Sequence, residues 1–248
     1  MSERTVHRLR LPAARLQTGR IRLEGAELHY LRDVLRLRRG ARVEVFDGEG
    51  RSFEAELATI GPGGADLVLG DASPQRHESP LELTLAVAVA KAAKLDWVVE
   101  KATELGVTRI IPFACERAIA AIERGTSRIE RWRRIAVAAA AQCGRVRCPE
   151  VLATESFAGL MRLATSHDRA VLFSASGGGS LGDREARAVR SVVVVTGPEG
   201  GFSADEVAQA ARLGFSLATL GPRVLRAETA AIVAVALAQH RWGDLRSG

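Results

Sequence analysis

Cysteine is scarce in this chain of 248 residues. Only Cys115, Cys143 and Cys148 occur, and an odd number with no secretory signal argues against a disulfide framework. None has the neighbouring cysteine or histidine that a tetrahedral zinc site needs, so no metal is expected. Lysine is nearly as rare: it appears at Lys91, Lys94 and Lys101, and every other basic residue is arginine. No apolar run approaches the roughly 20 residues that span a bilayer. The N-terminus, Met1-Ser2-Glu3-Arg4-Thr5-Val6-His7-Arg8, has no signal-peptide apolar core. No membrane partner and a cytoplasmic location are the expectations.

What is present is enough to fold. At 47% hydrophobic the chain can bury a core for one large domain or two modest ones. The formal net charge is +6. Carried almost wholly by arginine, that charge fits either an arginine-favouring GC-rich genome or bidentate phosphate contacts.

Residues 1–72 read as a small β-rich module. Val6 to Leu11, Gly19 to Leu23 and the alternating Ala41 to Phe46 are strand candidates. Asp47-Gly48-Glu49-Gly50 turns the chain into Arg51 to Ile60, and Gly61-Pro62-Gly63-Gly64 turns it again into Asp66 to Leu69, giving a meander. Between the early and later strands, Gly25 to Leu37 places Leu28, Leu31, Val34 and Leu35 at helical spacing. Residues 73–80 form a polar, proline-containing linker.

From residue 81 to 248 the pattern becomes β-α-β, the signature of a mostly parallel sheet with flanking helices. Leu81 to Ala90, Val107 to Pro112, Ala170 to Ser174, Val192 to Thr196 and Leu217 to Leu220 are the strands. One helix is expected over Asp96 to Leu105, with Asp96 as N-cap and Gly106 as its stop. A second runs from Ser127 to Cys143, with Ser127 and Glu130 as its capping box. It places Arg128, Arg131 and Arg134 on one side. Gly177-Gly178-Gly179 suggests a mobile loop, and the last helix, Glu228 to about Arg241, is apolar nearly all round.

Two glycine-punctuated segments carry the chemistry. In Val192-Val193-Val194-Val195-Thr196-Gly197-Pro198-Glu199-Gly200-Gly201-Phe202-Ser203, a β-branched strand breaks into a turn, and Ser203 with Glu206 opens a helix directly behind it. Leu220-Gly221-Pro222-Arg223-Val224-Leu225-Arg226-Ala227-Glu228-Thr229-Ala230 repeats the design. Turns at strand ends are where α/β sheets bind ligands, and two of them suggest one shared pocket. The 197–203 turn carries neither the Gly-Lys-Ser/Thr of a phosphate loop nor Gly-x-Gly-x-x-Gly spacing, so nucleoside triphosphates and dinucleotides lose weight. The five histidines show no partner pattern that would support catalysis by imidazole.

These two segments closely resemble the paired signatures of the bacterial 16S ribosomal RNA uridine N3-methyltransferases of the SPOUT superfamily. The resemblance extends in order through His29 to Arg36, Lys91, Asp96 to Val107, Glu116-Arg117, and Arg131-Trp132 to Gln142-Cys143-Gly144-Arg145, covering most of the chain. Ala227 and Cys143 depart from it, standing where threonine and serine are more usual.

The resemblance implies a PUA-like RNA-binding β-barrel at the N-terminus and a C-terminal SPOUT methyltransferase domain threaded into a trefoil knot. It also implies a homodimer and S-adenosylmethionine as cofactor. Carried over by motif, the cofactor residues are Leu172, Phe173, Thr196, Gly197, Pro198, Glu199, Gly200, Gly201, Leu220, Gly221, Val224, Leu225, Arg226, Thr229 and Ala230. The substrate would be 16S ribosomal RNA, within the small ribosomal subunit, met by Arg8, Arg32, Arg36, Arg128, Arg131, Arg134 and Arg145.

The uridine N3 must lose a proton before it can attack a methyl group. Arg226 or Arg145 is the candidate stabiliser of the anion, with Glu228 or Glu199 as base or as orienter of that arginine. A ribose 2'-O-methyltransferase of the same superfamily, or a non-catalytic RNA-binding ribosome-assembly factor, would share many of these features.

Overall fold

The computed structural model describes residues 7–16, 19–73, 77–88, 92–117, 126–174, 178–179, 181 and 188–245. Lys91 and Gly177, singled out in the sequence, lie outside the described residues, as do residues 74–76 of the linker. The chain divides into two compact units: Met1–Glu78 with Ala140–Cys148, and Ser79–Ala139 with Pro149–Gly248.

The first unit is a five-stranded sheet. Its strands are β1 (His7–Arg10), β2 (Arg20–Leu23), β3 (Arg42–Phe46), β4 (Ser52–Gly61) and β5 (Gly64–Ser73), in the order β1-β3-β4-β5-β2. The meander β3-β4-β5 is antiparallel, and β1 lies parallel to β3 with Leu9 opposite Val45. Alternate residues Val43, Val45, Ala55, Leu57, Ala65 and Leu67 point into one apolar core, as the two-residue period of a pleated strand requires. Asp47 makes the first turn. Its Oδ1 accepts from the backbone N–H of Glu49, Gly50 and Arg51 at 2.7, 3.0 and 3.0 Å.

The helix expected over Gly25 to Leu37 is shorter and changes pitch. Helix α1 (Gly25–His29) passes into a π-helical turn, Tyr30–Val34, closed by Leu35 N–H to Tyr30 O at 2.9 Å. The wider turn keeps Leu28 and Leu31 in the core but swings Val34 outward, where it is 57% exposed.

Residues Ala140–Cys148 complete this unit through buried polar contacts. Glu78 accepts from Arg145 Nε and Nη2 at 3.2 and 3.0 Å and from the backbone N–H of Val146 and Arg147 at 2.9 Å each. Arg8 donates to Arg145 O at 2.8 Å and to Ala140 O at 3.0 Å, and its Nε meets Glu44 at 2.8 Å.

The second unit is built on a parallel sheet of six strands in path order. The strands are β6 (Glu82–Ala88), β7 (Arg109–Ala114), β8 (Glu150–Val151), β10 (Arg169–Phe173), β11 (Ser191–Thr196) and β12 (Ser216–Ala218), ordered β12-β10-β11-β6-β7-β8. A further short strand, β9 (Glu155–Ser156), pairs with β7 off that path. The helices are α2 (Ala92–Glu104), α3 (Thr126–Cys143), α4 (Phe157–Ala164), α5 (Ala204–Arg212) and α6 (Ala227–Trp242).

Helices α2, α3 and α6 cover one face through Val98, Trp132 and Val235, and α4 and α5 the other through Leu160, Met161 and Ala210. The valine run explains itself here: Val192 and Val194 enter the first core, Val193 and Val195 the second. A strand covered on both faces needs apolar residues at every position.

Two expected caps are not caps. Helix α2 begins at Ala92, so Asp96 lies one turn inside it; its carboxylate accepts from Trp132 Nε1 at 3.1 Å and Arg131 Nη2 at 2.6 Å. Helix α3 already includes Thr126, which places Ser127 within its first turn. Helix α4 was not visible in the sequence, although Ser156 caps it by accepting from Gly159 N–H at 3.0 Å.

Candidate functional site

The parallel strands β10, β11 and β12 end side by side, and a cavity opens beyond their carboxyl ends. Its first wall is the turn after β11. Thr196 closes the strand, 1% exposed, with a hydroxyl that has no hydrogen-bond partner among the described residues. Gly197 follows where a larger residue would be crowded: a Cβ there would lie 3.0 Å from Cε2 of Phe202. The Phe202 ring is itself stacked against Phe113, with centroids 6.3 Å apart, and tilted against Phe157 at 5.9 Å. Gly201 donates to Pro198 O at 2.9 Å and takes a φ of 68°, a left-handed angle that favours glycine.

The helix behind this turn is capped as the sequence predicts. Ser203 Oγ accepts from Glu206 N–H at 3.3 Å, and Glu206 Oε2 accepts from Ser203 N–H at 2.9 Å. The remaining oxygen, Oε1, accepts from Glu116 N–H at 2.9 Å, and the adjacent Arg117 donates to Gly200 O at 2.6 Å. The segment after β7 is thereby tied to the turn.

The second wall leaves β12 through Thr219 and Leu220, turns at Gly221 (φ 97°), and enters α6 with Arg226 at the N-cap. Gly178 and Gly179 lie against its base. Thr219 donates its N–H to Gly179 O at 3.3 Å, and a Cβ on Gly178 would meet Ala218 backbone at 2.8 Å. The close approach, more than flexibility, accounts for glycine at Gly178.

The cavity lining contains Phe173, Thr196, Gly197, Pro198, Glu199, Gly200, Gly201, Leu220, Gly221, Val224, Leu225 and Ala230 of the cofactor residues taken from the motifs. Ser174, Phe202, Thr219, Pro222, Arg223 and Ala227 line it as well. Leu172 is outside the lining, because strand alternation turns it into the core beneath α4 and α5. Arg226 and Thr229 are exposed outside it. Arg145 belongs to the first unit, where it is 2% exposed and bonded to Glu78.

One residue bonded to the cavity lining was missed: Lys94, near the start of α2. Its ammonium meets Glu199 Oε1 at 2.5 Å and Glu228 Oε2 at 3.2 Å. Those bonds, to Glu199 first and then to Glu228, raise its pKa above the ordinary value. Glu228 sits in the first turn of α6, where its own backbone N–H and then Lys94 and Arg226 hold its carboxyl below the ordinary range, as the positive end of a helix favours. Lysine's rarity in an arginine-rich chain was the available signal.

The arginines expected to meet RNA fall into two groups. Arg36 and Arg134 are exposed, and Arg32 is partly exposed beside Asp33, which it contacts at 2.8 and 2.9 Å. Arg128 is half-buried, Arg131 is exposed but bonded to Asp96, and Arg8 and Arg145 are spent on internal contacts.

A doubly covered parallel sheet with a cavity framed by glycine turns at its carboxyl edge defines an α/β ligand-binding domain. The chain matches the RNA methyltransferase domain family over residues 77–239 and the RNA methyltransferase PUA domain over residues 23–70, and it belongs to this family.

More narrowly, it is similar to the ribosomal RNA small subunit methyltransferase E of Synechocystis sp., with 33% identity over 234 residues, 93% of this chain and 76% of that protein. The protein of that name from Neisseria gonorrhoeae, solved bound to S-adenosyl methionine, superposes with a TM-score of 0.89 at 33% identity, covering 97% of this chain and 100% of the other. A Legionella pneumophila protein solved with bound cofactor SAM gives 0.88 at 30% identity, covering 97% and 99%.

Proposed function

We propose that this protein transfers a methyl group from S-adenosylmethionine to N3 of a uridine in 16S ribosomal RNA of the small subunit. The observation that carries the reading is the cavity between the 196–203 and 219–226 segments, which unites most of the cofactor motif at the carboxyl ends of three parallel strands. Its residues fit the cofactor. Thr196 offers a buried hydroxyl without a partner among the described residues, and Leu220 and Leu225 offer apolar surface. When bound, the cofactor supplies an electrophilic methyl group on a sulfonium.

The chain's own residues position the nucleophile and hold its charge. Methylation at N3 forms a carbon–nitrogen bond, breaks the carbon–sulfur bond and releases the N3 proton. Arg226, exposed at the lip of the second wall, stabilises the developing uridine anion. It is favoured over Arg145, whose guanidinium is already engaged by Glu78. Glu228, with its carboxyl held below the ordinary range, is a poor base and a good fixed charge for orienting Arg226, so the proton passes to solvent.

Arg32, Arg36, Arg128 and Arg134 are the cations for folded RNA, with the target base turned out of its stack. The working protein is a cytoplasmic homodimer with residues 1–72 as the RNA-binding domain, 73–80 as linker and 81–248, trefoil-threaded, as the catalytic domain. Leu237 on α6 (37% exposed) and Trp97 on α2 (43%) are exposed apolar side chains that a symmetric interface would cover. A monomer mass by light scattering at micromolar concentration would remove the dimer.

Mass spectrometry of 16S nucleosides, before and after small subunits are incubated with the protein and S-adenosylmethionine, tests the reaction. N3-methyluridine is expected. A 2'-O-methylated nucleoside would establish the ribose alternative, and no new methyl group would refute the proposal.

A further inference from the structure

We infer that Lys94 is a positioning residue that ties the two walls of the cavity together through Glu199 and Glu228. The inference rests on the cofactor reading above. Each wall presents one carboxylate: Glu199 stands in the first turn and lines the cavity, and Glu228 stands at the start of α6, directly behind the second wall. Lys94 comes from a third element, α2, whose preceding strand β6 pairs with β11. A single ammonium reaches both carboxylates, at 2.5 and 3.2 Å.

The arrangement is suited to lysine. An ammonium is a compact charge with three donors free to rotate toward separate acceptors, whereas a guanidinium presents its donors in a fixed planar fork. In a chain whose other cations are nearly all arginine, lysine stands at this place. Glu228 has limited freedom of its own. Its backbone N–H and the helix N-terminus hold it from one side and Lys94 from the other, and Oε2 is buried with no hydrogen-bond partner besides that ion pair among the described residues.

Glu199 is the more exposed partner, with 51% of its side chain accessible against 17% for Glu228. Lys94 therefore holds the more exposed carboxylate of the first turn to the more buried one at the start of α6. The separation of the walls, and with it the fit of the cofactor, depends on this link.

Calorimetric titration with S-adenosylmethionine tests the inference on the wild type, Lys94→Met, Lys94→Arg, Glu199→Gln/Glu228→Gln and the triple variant Lys94→Met/Glu199→Gln/Glu228→Gln. Circular dichroism verifies that each is folded. Lys94→Met is expected to bind about tenfold more weakly, and Lys94→Arg to recover to within about threefold of wild type. Adding Lys94→Met to the double glutamine variant is expected to change affinity by less than about twofold, since the groups it acts through are already neutral.

Wild-type affinity in Lys94→Met, or an undiminished loss when Lys94→Met is added to the glutamine pair, would overturn the role of Lys94 while leaving the cofactor assignment intact. A wild-type protein that binds no S-adenosylmethionine would overturn both.

Discussion

Single side chains decide how tightly the first wall is built. A methyl group on Gly197 would press at 3.0 to 3.2 Å on the ring of Phe202, which Phe113 and Phe157 hold in place. Gly197→Ala is therefore expected to destabilise the protein by about 1–3 kcal/mol and to weaken cofactor binding with it, measured by urea unfolding and by titration. Charge acts at the same scale. The carboxyl of Glu228 is depressed below its ordinary value of 4.5 by its own backbone N–H, by Lys94 and by Arg226. A group with a lowered folded pKa contributes stability that is present above its unfolded value and lost as pH falls through the folded one. Thermal melts of wild type and Glu228→Gln will thus differ at neutral pH and converge below pH 4.5.

At the scale of elements, the segment most dependent on one residue is Ala140–Cys148. Glu78 gathers Arg145 and the backbone N–H groups of Val146 and Arg147, with the Arg145 side chain 3% exposed. Removing the carboxylate leaves buried donors short of an acceptor, and Glu78→Ala is expected to cost about 3 kcal/mol in urea unfolding. Nothing local announced this contact: Glu78 stands in a polar stretch that reads as linker, and its partner is 67 residues away. The legible parts were those whose signal is short-range. Four successive valines, the Asp47 turn and the Ser203–Glu206 capping box each carry their structure within a few residues, and the meander followed from alternation punctuated by glycine turns. The unreadable parts needed tertiary knowledge. Asp96 resembles a cap until Trp132 and Arg131 claim it, the π turn at Tyr30–Val34 leaves helical spacing unchanged on paper, and Lys94 acquires meaning only when two distant carboxylates converge on it.

For the whole molecule, a net charge of +6 held mostly by arginine makes association with RNA an exchange of counterions. Its affinity for ribosomal RNA is expected to fall linearly on a log–log plot against salt, and replacing both Arg36 and Arg134 is expected to flatten that slope, as filter binding across a salt series would record. The doubly covered strand β11 has a consequence in time. Val192 to Val195 are all fully buried and shared between two cores, whereas Pro222, Arg223 and Val224, on the facing wall, stand in solvent, Val224 at 86% exposure. In native-state hydrogen exchange the amides of β11 will be released only with global unfolding, while those of residues 223–226 will exchange orders of magnitude sooner. One side of the cavity would then keep the clock of the entire sheet and the other its own, so a ligand could be admitted and let go without the floor ever opening.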